Sequence, residues 1–283
     1  MKCFLEVNSK LNFQKLCESN ADVLVFGLHG FCGDRLMSVM IDDLDDVIHQ
    51  IHASNKQACL FFPYIILQTQ FKEQESTLAR CARAALDFIA SGDVGLGYFL
   101  KHNQTQSKLI FMNETMIASP MDAQTFLETG YDVIAPAVDI TLEKKKSFAQ
   151  HMPKQVIFQL CGTHLISTSK RPLLSSYYDV INTPNAPKHV RMRELSREAR
   201  YFGVEDDQGF HVFHDSLLVL EDPLFLACDY GYLSSLFIPI EETLVWIELI
   251  KQNNFTIDNV KKHSQFNVYA GLEETDKGLE AGT

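Results

Sequence analysis

Short apolar runs alternate with amphipathic stretches along this chain, and the two periods predict strands and helices in turn. Met1 to Val7 alternates as a strand, and LNFQKLCESN reads as a short helix closed by Asn20. Asp22 to Leu28 is a second buried strand, running into a glycine-bearing loop from His29 to Arg35. The helix after it places Leu44, Val47, Ile48 and Ile51 at i, i+3, i+4, i+7. Ala58 to Phe62 is a third strand stopped by Pro63, and Lys72 to Ala90 reads as one long helix ended by Ser91-Gly92. Val94 to Phe99 gives the fourth strand and Lys108 to Met112 the fifth, with a helix from Asp122 to Glu128 closed by Gly130. DVIAPAVD, ending at Asp139, is the sixth, and TLEKKKSFAQHM is a helix whose charges follow the macrodipole. Val156 to Leu160 is the seventh strand, ending at Gly162 in a polar run with His164, Ser167, Ser169 and Arg171.

The alternation then breaks. Residues 183–235 hold the strand-like pieces YFGVE, FHVFH and SLLVLE, which read as an antiparallel excursion. Leu236 to Ile240 is the eighth strand, and IEETLVWIELIKQ is a final helix carrying Trp246. Eight strands, most followed by helices, imply a parallel sheet with right-handed crossovers. The count favours a (β/α)8 TIM-barrel-like domain over residues 1–253, with the antiparallel insertion before the last strand. An open sheet gives a similar alternation, although no G-x-G-x-x-G supports a dinucleotide-binding form. Residues 254–283 read as a polar tail, since GLEETDKGLEAGT has too little apolar surface to order itself.

Composition narrows the function classes. At 283 residues and 46% apolar the chain buries a substantial core. It has no secretory start and no apolar run approaching membrane-spanning length, so a cytoplasmic location is expected. Seven cysteines without a C-x-x-C pair argue against a disulfide framework and read as small core residues. A net charge of -11 disfavours indiscriminate nucleic-acid binding but leaves room for a local basic patch.

Side chains leaving the carboxyl ends of barrel strands converge on one rim. Glu6, Glu114 and Asp139 fall at such ends, where three carboxyl groups require Arg171 or Arg35 as compensation. The alternative is that they cap the helices that follow. Arg171, on a strand-end loop, suits bidentate contact with a carboxylate or phosphate, or simply pairs with a rim carboxyl. His29 and His211 are candidate neutral donors or structural histidines. Neither G-x-S-x-G nor H-E-x-x-H occurs, leaving Cys161 with His164 as the available nucleophile–base pairing. Asp207, His211 and His214 form either a metal set or the flanks of the Gln208-Gly209 turn. In KHVRMRELSREAR, the cations Lys188, Arg191, Arg193, Arg197 and Arg200 are candidate RNA contacts. If helical, Arg193, Arg197 and Arg200 share one face, with Tyr177, Tyr178 and Tyr201 available for stacking; the other reading is a solvated helix paired through Glu194 and Glu198.

The run CGTHLISTSKRPLLSSYY resembles the signature segment of the collagenase-like peptidases, peptidase family U32, through Gly162, Ser169, Arg171, Leu173, Leu174, Ser175 and Tyr177. NADVLVFGLHGF, ETMIASPMDAQTFLETGYDVIAPAVDITLEK and YFGVEDDQGFHVF extend the likeness over roughly Asn20 to Phe213. The resemblance implies a barrel-like domain and one of several activities: a collagenase-like protease (hydrolase), hydroxylation of RNA bases, or oxygen-independent quinone synthesis. The chain is most similar to a short paired form from low-GC Gram-positive bacteria. That likeness implies a subunit of a tRNA wobble-uridine 5-hydroxylation system, with a larger paralogue, tRNA and a small carboxylate such as prephenate as partners. The implied catalytic set is Arg171, His164, Asp139 and Glu114, with Glu6, His29, Thr115, Ser169 and Tyr177 binding substrate. A non-catalytic barrel serving the paralogue is the remaining alternative. Pro172 within the signature and a histidine after Gly162 depart from the family pattern. With no cysteine between Cys161 and Cys228, the ligands of the relatives' iron–sulfur cluster are missing, and no cofactor is expected on this chain.

Overall fold

The computed structural model describes residues 1–183, 187–193 and 200–272. In its first half the elements run β1 (Lys2–Glu6), α1 (Phe13–Cys17), β2 (Val23–Leu28), β3 (Ser38–Val39), α2 (Leu44–Ala53), β4 (Gln57–Phe62), α3 (Gln68–Glu73), α4 (Glu75–Arg83), β5 (Phe88–Ser91), α5 (Val94–His102), β6 (Lys108–Phe111), α6 (Pro120–Glu128), β7 (Val133–Ile134) and α7 (Leu142–His151). The second half holds β8 (Ile157–Gly162), β9 (Leu165–Ser169), α8 (Leu173–Val180), β10 (His189–Arg193), β11 (Arg200–Asp206), β12 (Gly209–His214), β13 (Leu217–Val219), α9 (Pro223–Leu226), β14 (Tyr230–Leu233), α10 (Ile240–Lys251), α11 (Ile257–His263) and β15 (Val268–Tyr269).

The fold is a mixed α/β architecture around one curled sheet in the order β15-β13-β8-β14-β1-β2-β4-β5-β6-β7. From β8 through β14 and β1 to β7 every pairing is parallel. The two ends of that run meet at an isolated parallel bridge between Ile134 and Val156, where Ile134 N–H donates to Gln155 O at 2.8 Å. Strand residues are apolar on both faces. Phe4, Val25, Phe61 and Ile110 pack inside the curl, while Leu5, Phe26, Leu60 and Phe111 face the helices. This two-sided burial explains why the strands read as continuous apolar runs. A second, antiparallel sheet in the order β10-β11-β12-β9 adjoins the first.

Four expectations need correction. The stretch read as one helix from Lys72 to Ala90 stops at Arg83, and Phe88–Ser91 is a strand. Asp87 sets that strand's start, accepting Ala58 N–H and Gln57 Nε2 at 2.9 Å each. Val94–His102 is accordingly a helix, capped by the Asp93 side chain on Leu96 N–H at 3.0 Å. Gly97 is there because a Cβ would lie 2.3 Å from Tyr131 Cζ. The last parallel strand is Tyr230–Leu233, ahead of the expected Leu236 to Ile240. Finally, Lys188 to Arg193 is not helical: His189–Arg193 pairs with Arg200–Asp206 as an antiparallel strand, and Arg197 lies outside the described residues.

The antiparallel sheet also begins earlier than residue 183, because β9 is its edge. Of the stretch read as a tail, residues 257–263 form α11, and Val268–Tyr269 pairs with β13. Residues 273–283 lie outside the description.

Candidate functional site

Glu6 closes β1 and is wholly buried. Its carboxyl accepts from Arg35 Nε at 3.0 Å, Ser234 Oγ at 2.7 Å, Ser235 N–H at 2.9 Å and the Tyr232 hydroxyl. The same guanidinium donates through Nη2 to Glu114, which follows β6. The other Glu114 oxygen accepts Leu165 N–H at 2.9 Å, at the start of β9. Arg35 thus ties together the carboxyl ends of β1, β6 and β14 from the loop after β2, with its guanidinium 5.2 Å from the Phe61 ring. Burial works against its charge, but Glu114 and Glu6 hold its pKa well above the ordinary value. Burial and the neighbouring Glu6 likewise push the Tyr232 phenol well up, with Arg35 opposing.

A cavity of about 290 Å³ opens beside this cluster, lined by Arg35, Tyr64, Asn8, Asp206, His189 and Phe213 among others. Arg35 Nη1 is buried and has no hydrogen-bond partner among the described residues. It is an unpaired donor inside the cluster, a costly arrangement. Tyr64 stacks on His211 with ring centres 4.0 Å apart. His211 Nε2 donates to Asp206 Oδ1 at 3.1 Å, and its Nδ1 hydrogen-bonds the Thr168 hydroxyl at 2.8 Å. Asp206 also accepts Asp34 N–H at 2.9 Å and Gln208 N–H at 2.8 Å. Burial raises the Asp206 carboxyl, yet these hydrogen bonds, His211 foremost, bring it below the usual value. The hairpin between β11 and β12 is thereby latched to the Arg35 loop, and Gln208 Nε2 adds a bond to Gly30 O at 2.8 Å. Gly33 permits the latch: a Cβ there would sit 2.0 Å from Asp206 Oδ2.

Of the residues expected to act together, the structure joins Glu6 and Glu114 through Arg35, the compensating arginine named alongside Arg171. Arg171 itself is exposed on the β9–α8 loop, its N–H on Ser169 Oγ at 3.1 Å, and it is not among the cavity-lining residues. Asp139 is exposed and apart from the cluster. His164 is buried in a different group, stacked on His214 at 5.3 Å with Nδ1 3.0 Å from the Tyr269 hydroxyl. Burial first, then His214 and Lys145, lower its pKa to about 3. Cys161 is fully buried and its thiol is pushed well up by desolvation, so no nucleophile–base pair forms with His164. His29 is exposed against Ser38, Thr115 bonds Asn113, and Tyr177 packs on Tyr178. Ser169 pairs with Phe210 in the second sheet. His211 and His214, three apart in a strand, point to opposite faces, which rules them out as joint ligands. Among the described residues no group of three or more His, Cys, Asp or Glu side chains is arranged for a metal ion.

Lys188, Arg191, Arg193 and Arg200 are all exposed. The register pairs His189 with Val204, Arg191 with Phe202 and Arg193 with Arg200. Cross-strand partners share a face, so the three arginines continue the face whose His189, Val204 and Phe213 line the cavity. Arg191 lies over the Phe202 ring at 5.3 Å. Tyr64 and Asp206 were absent from the expected site. The only signal for them in sequence was their position next to a strand end and a turn.

These features define an α/β protein with an arginine-centred polar cavity at the carboxyl ends of a curled parallel sheet. The chain belongs to peptidase family U32, whose model matches residues 9–189. Among solved structures it is similar to the U32 peptidase Mk0906, at 14% identity and a TM-score of 0.51, covering 82% of this chain and 90% of that one. The spore cortex-lytic enzyme SleL of Bacillus megaterium QM B1551 aligns at 9% identity and a TM-score of 0.42, covering 89% of this chain and 74% of that one. A chitinase from Chromobacterium violaceum aligns at 10% identity and 0.43, over 89% and 99%. No curated protein matches the chain in sequence. No helix among the described residues is long and apolar enough to cross a membrane.

Proposed function

We propose that this U32 chain is a subunit of a tRNA wobble-uridine 5-hydroxylation system, with the cavity beside Arg35 as its working site. One observation carries the reading. In a chain of net charge -11, Arg191, Arg193 and Arg200 lie on the very sheet face that runs into the cavity wall. Cations along such a strip suit the phosphates of a single-stranded loop, and a base turned out of that loop meets the cavity below. We also infer that the eight parallel strands form a (β/α)8-type barrel, with β9 to β12 as its antiparallel insertion. The Ile134–Val156 bridge supports that reading. The collagenase-like alternative has no Cys161–His164 pair to work with, since Cys161 is buried and His164 turns to Tyr269; the hydroxyl beside a base is that of Thr168, 2.8 Å from His211 Nδ1.

The test is mass spectrometry of tRNA nucleosides from a strain deleted for the gene, complemented with wild type or with the Arg191→Ala/Arg193→Ala chain. Loss of 5-hydroxyuridine derivatives, restored by wild type and not by the variant, supports the reading. Unchanged nucleosides in the deletion strain overturn it.

A further inference from the structure

Three segments that follow β4, β5 and β6, each a loop or the first turns of a helix, carry no charge at all: residues 64–71, 94–100 and 115–121 hold neither acid nor base, in a chain that is 22% charged. Within them Ile65, Leu67, Val94, Tyr98, Met116 and Met121 are about half exposed or more, Tyr98 at 66% and Met121 at 81%. The segments are bound to one another. Ile66 N–H donates to Asp93 at 3.0 Å, Asn113 Nδ2 to Gly92 O at 3.0 Å, and Phe71 meets Phe99 edge to face at 5.0 Å. The six side chains therefore form one patch, on the order of 600 Å² of apolar surface, at the upper end of what a monomer usually exposes.

We propose that a second copy of this chain docks on this rim, in a two-fold contact centred on Tyr98 and Met121. Area and charge both point to that occupant. With the uncharged Gln68, Thr69 and Thr115 around it, the patch approaches the roughly 800 Å² per partner of a standard stable interface. Two copies of net charge -11 repel each other over much of their acidic surface. This rim is a face where they meet without it: the Asp93 carboxyl is bonded to Ile66 and Leu96 N–H, Glu114 is buried, and exposed Asp122 stands at the edge. Self-apposition suits a two-fold contact, and the methionines adapt to an imperfect fit. None of the six residues lines the Arg35 cavity, although Tyr64, next to Ile65, does. The contact is independent of the RNA reading.

Sedimentation equilibrium of the full chain over a wide concentration range tests it. The expected mass is twice the 32.1 kDa of one chain. Met121→Glu and Tyr98→Glu, on separate elements, each enter the contact twice and weaken the dimer by about 100-fold or more. Val180→Glu, at an exposed apolar position on α8, leaves it intact, and circular dichroism verifies the fold of all three. A wild-type chain that is monomeric throughout overturns the proposal, including one that pairs only with a different protein. So does a dimer surviving both rim substitutions, or one dissociated by Val180→Glu.

Discussion

Replacing Arg35 by methionine isolates the energetics of the cluster. The guanidinium, 2% exposed, supplies one donor to Glu6 and one to Glu114. Without it Glu6 keeps Tyr232, Ser234 and the Ser235 N–H, whereas Glu114 keeps only Leu165 N–H. Breaking a buried ion pair from one side costs about 3–5 kcal/mol, because the remaining carboxyl is neither paired nor hydrated. For a chain of this size that lowers the melting temperature by roughly 10 °C. The uneven remainder makes a sharper prediction. Adding Glu114→Gln to Arg35→Met recovers more stability than adding Glu6→Gln, since Glu114 is the poorer-served group. Urea unfolding followed by circular dichroism at neutral pH, arranged as double-mutant cycles, measures both couplings. A loss below about 1 kcal/mol for Arg35→Met, or strict additivity in both cycles, refutes the reasoning.

Further expectations concern the latch, the buried histidine and the basic strip. Gly33→Ala, at φ +56 against Asp206, costs about 1–3 kcal/mol in melts and raises proteolytic cleavage in the His29–Arg35 loop. His164 is held neutral, with its pKa lowered from 6.5 to about 3, so the unfolded chain binds the extra proton between those values. Stability is full above pH 6.5 and falls as the pH drops towards 3. His164→Gln flattens that acid limb by up to about 5 kcal/mol, and an unchanged limb contradicts the burial argument. Arg191→Ala/Arg193→Ala/Arg200→Ala reduces the slope of log affinity for single-stranded RNA against log salt by about 2, measured by filter binding.

The order of strands and helices was legible where burial and capping agreed, as in Val23–Leu28 or Leu142–His151. It failed around residues 84–99 because tertiary contacts overrode local preference. Gly97 sits in a helix for the sake of Tyr131, and Asp87 starts a strand by bonding its neighbour. The carboxyls Glu6 and Glu114 were legible as strand-end residues, and Arg35 as one of two arginines able to balance them. Its choice over Arg171 depends on the loop being folded back by Asp206 and Gln208, a contact across 172 positions that no local pattern records. Asp139, at an equivalent place in the pattern, turns outward because its loop is fixed by Lys145, which donates to Val138 O and Ile140 O at 2.6 and 2.8 Å.

The Glu114 contacts bear on the seam where β7 meets β8. Its own carbonyl accepts Val138 N–H at 2.8 Å, and its side chain reaches Leu165. One residue therefore spans the joint that, in the strand ladder, rests on the single Ile134–Val156 bridge. Glu114 thus couples the segments after β7 and β8 to the Arg35 cluster, and Arg35→Met is expected to speed amide exchange at Val138 and Leu165 first.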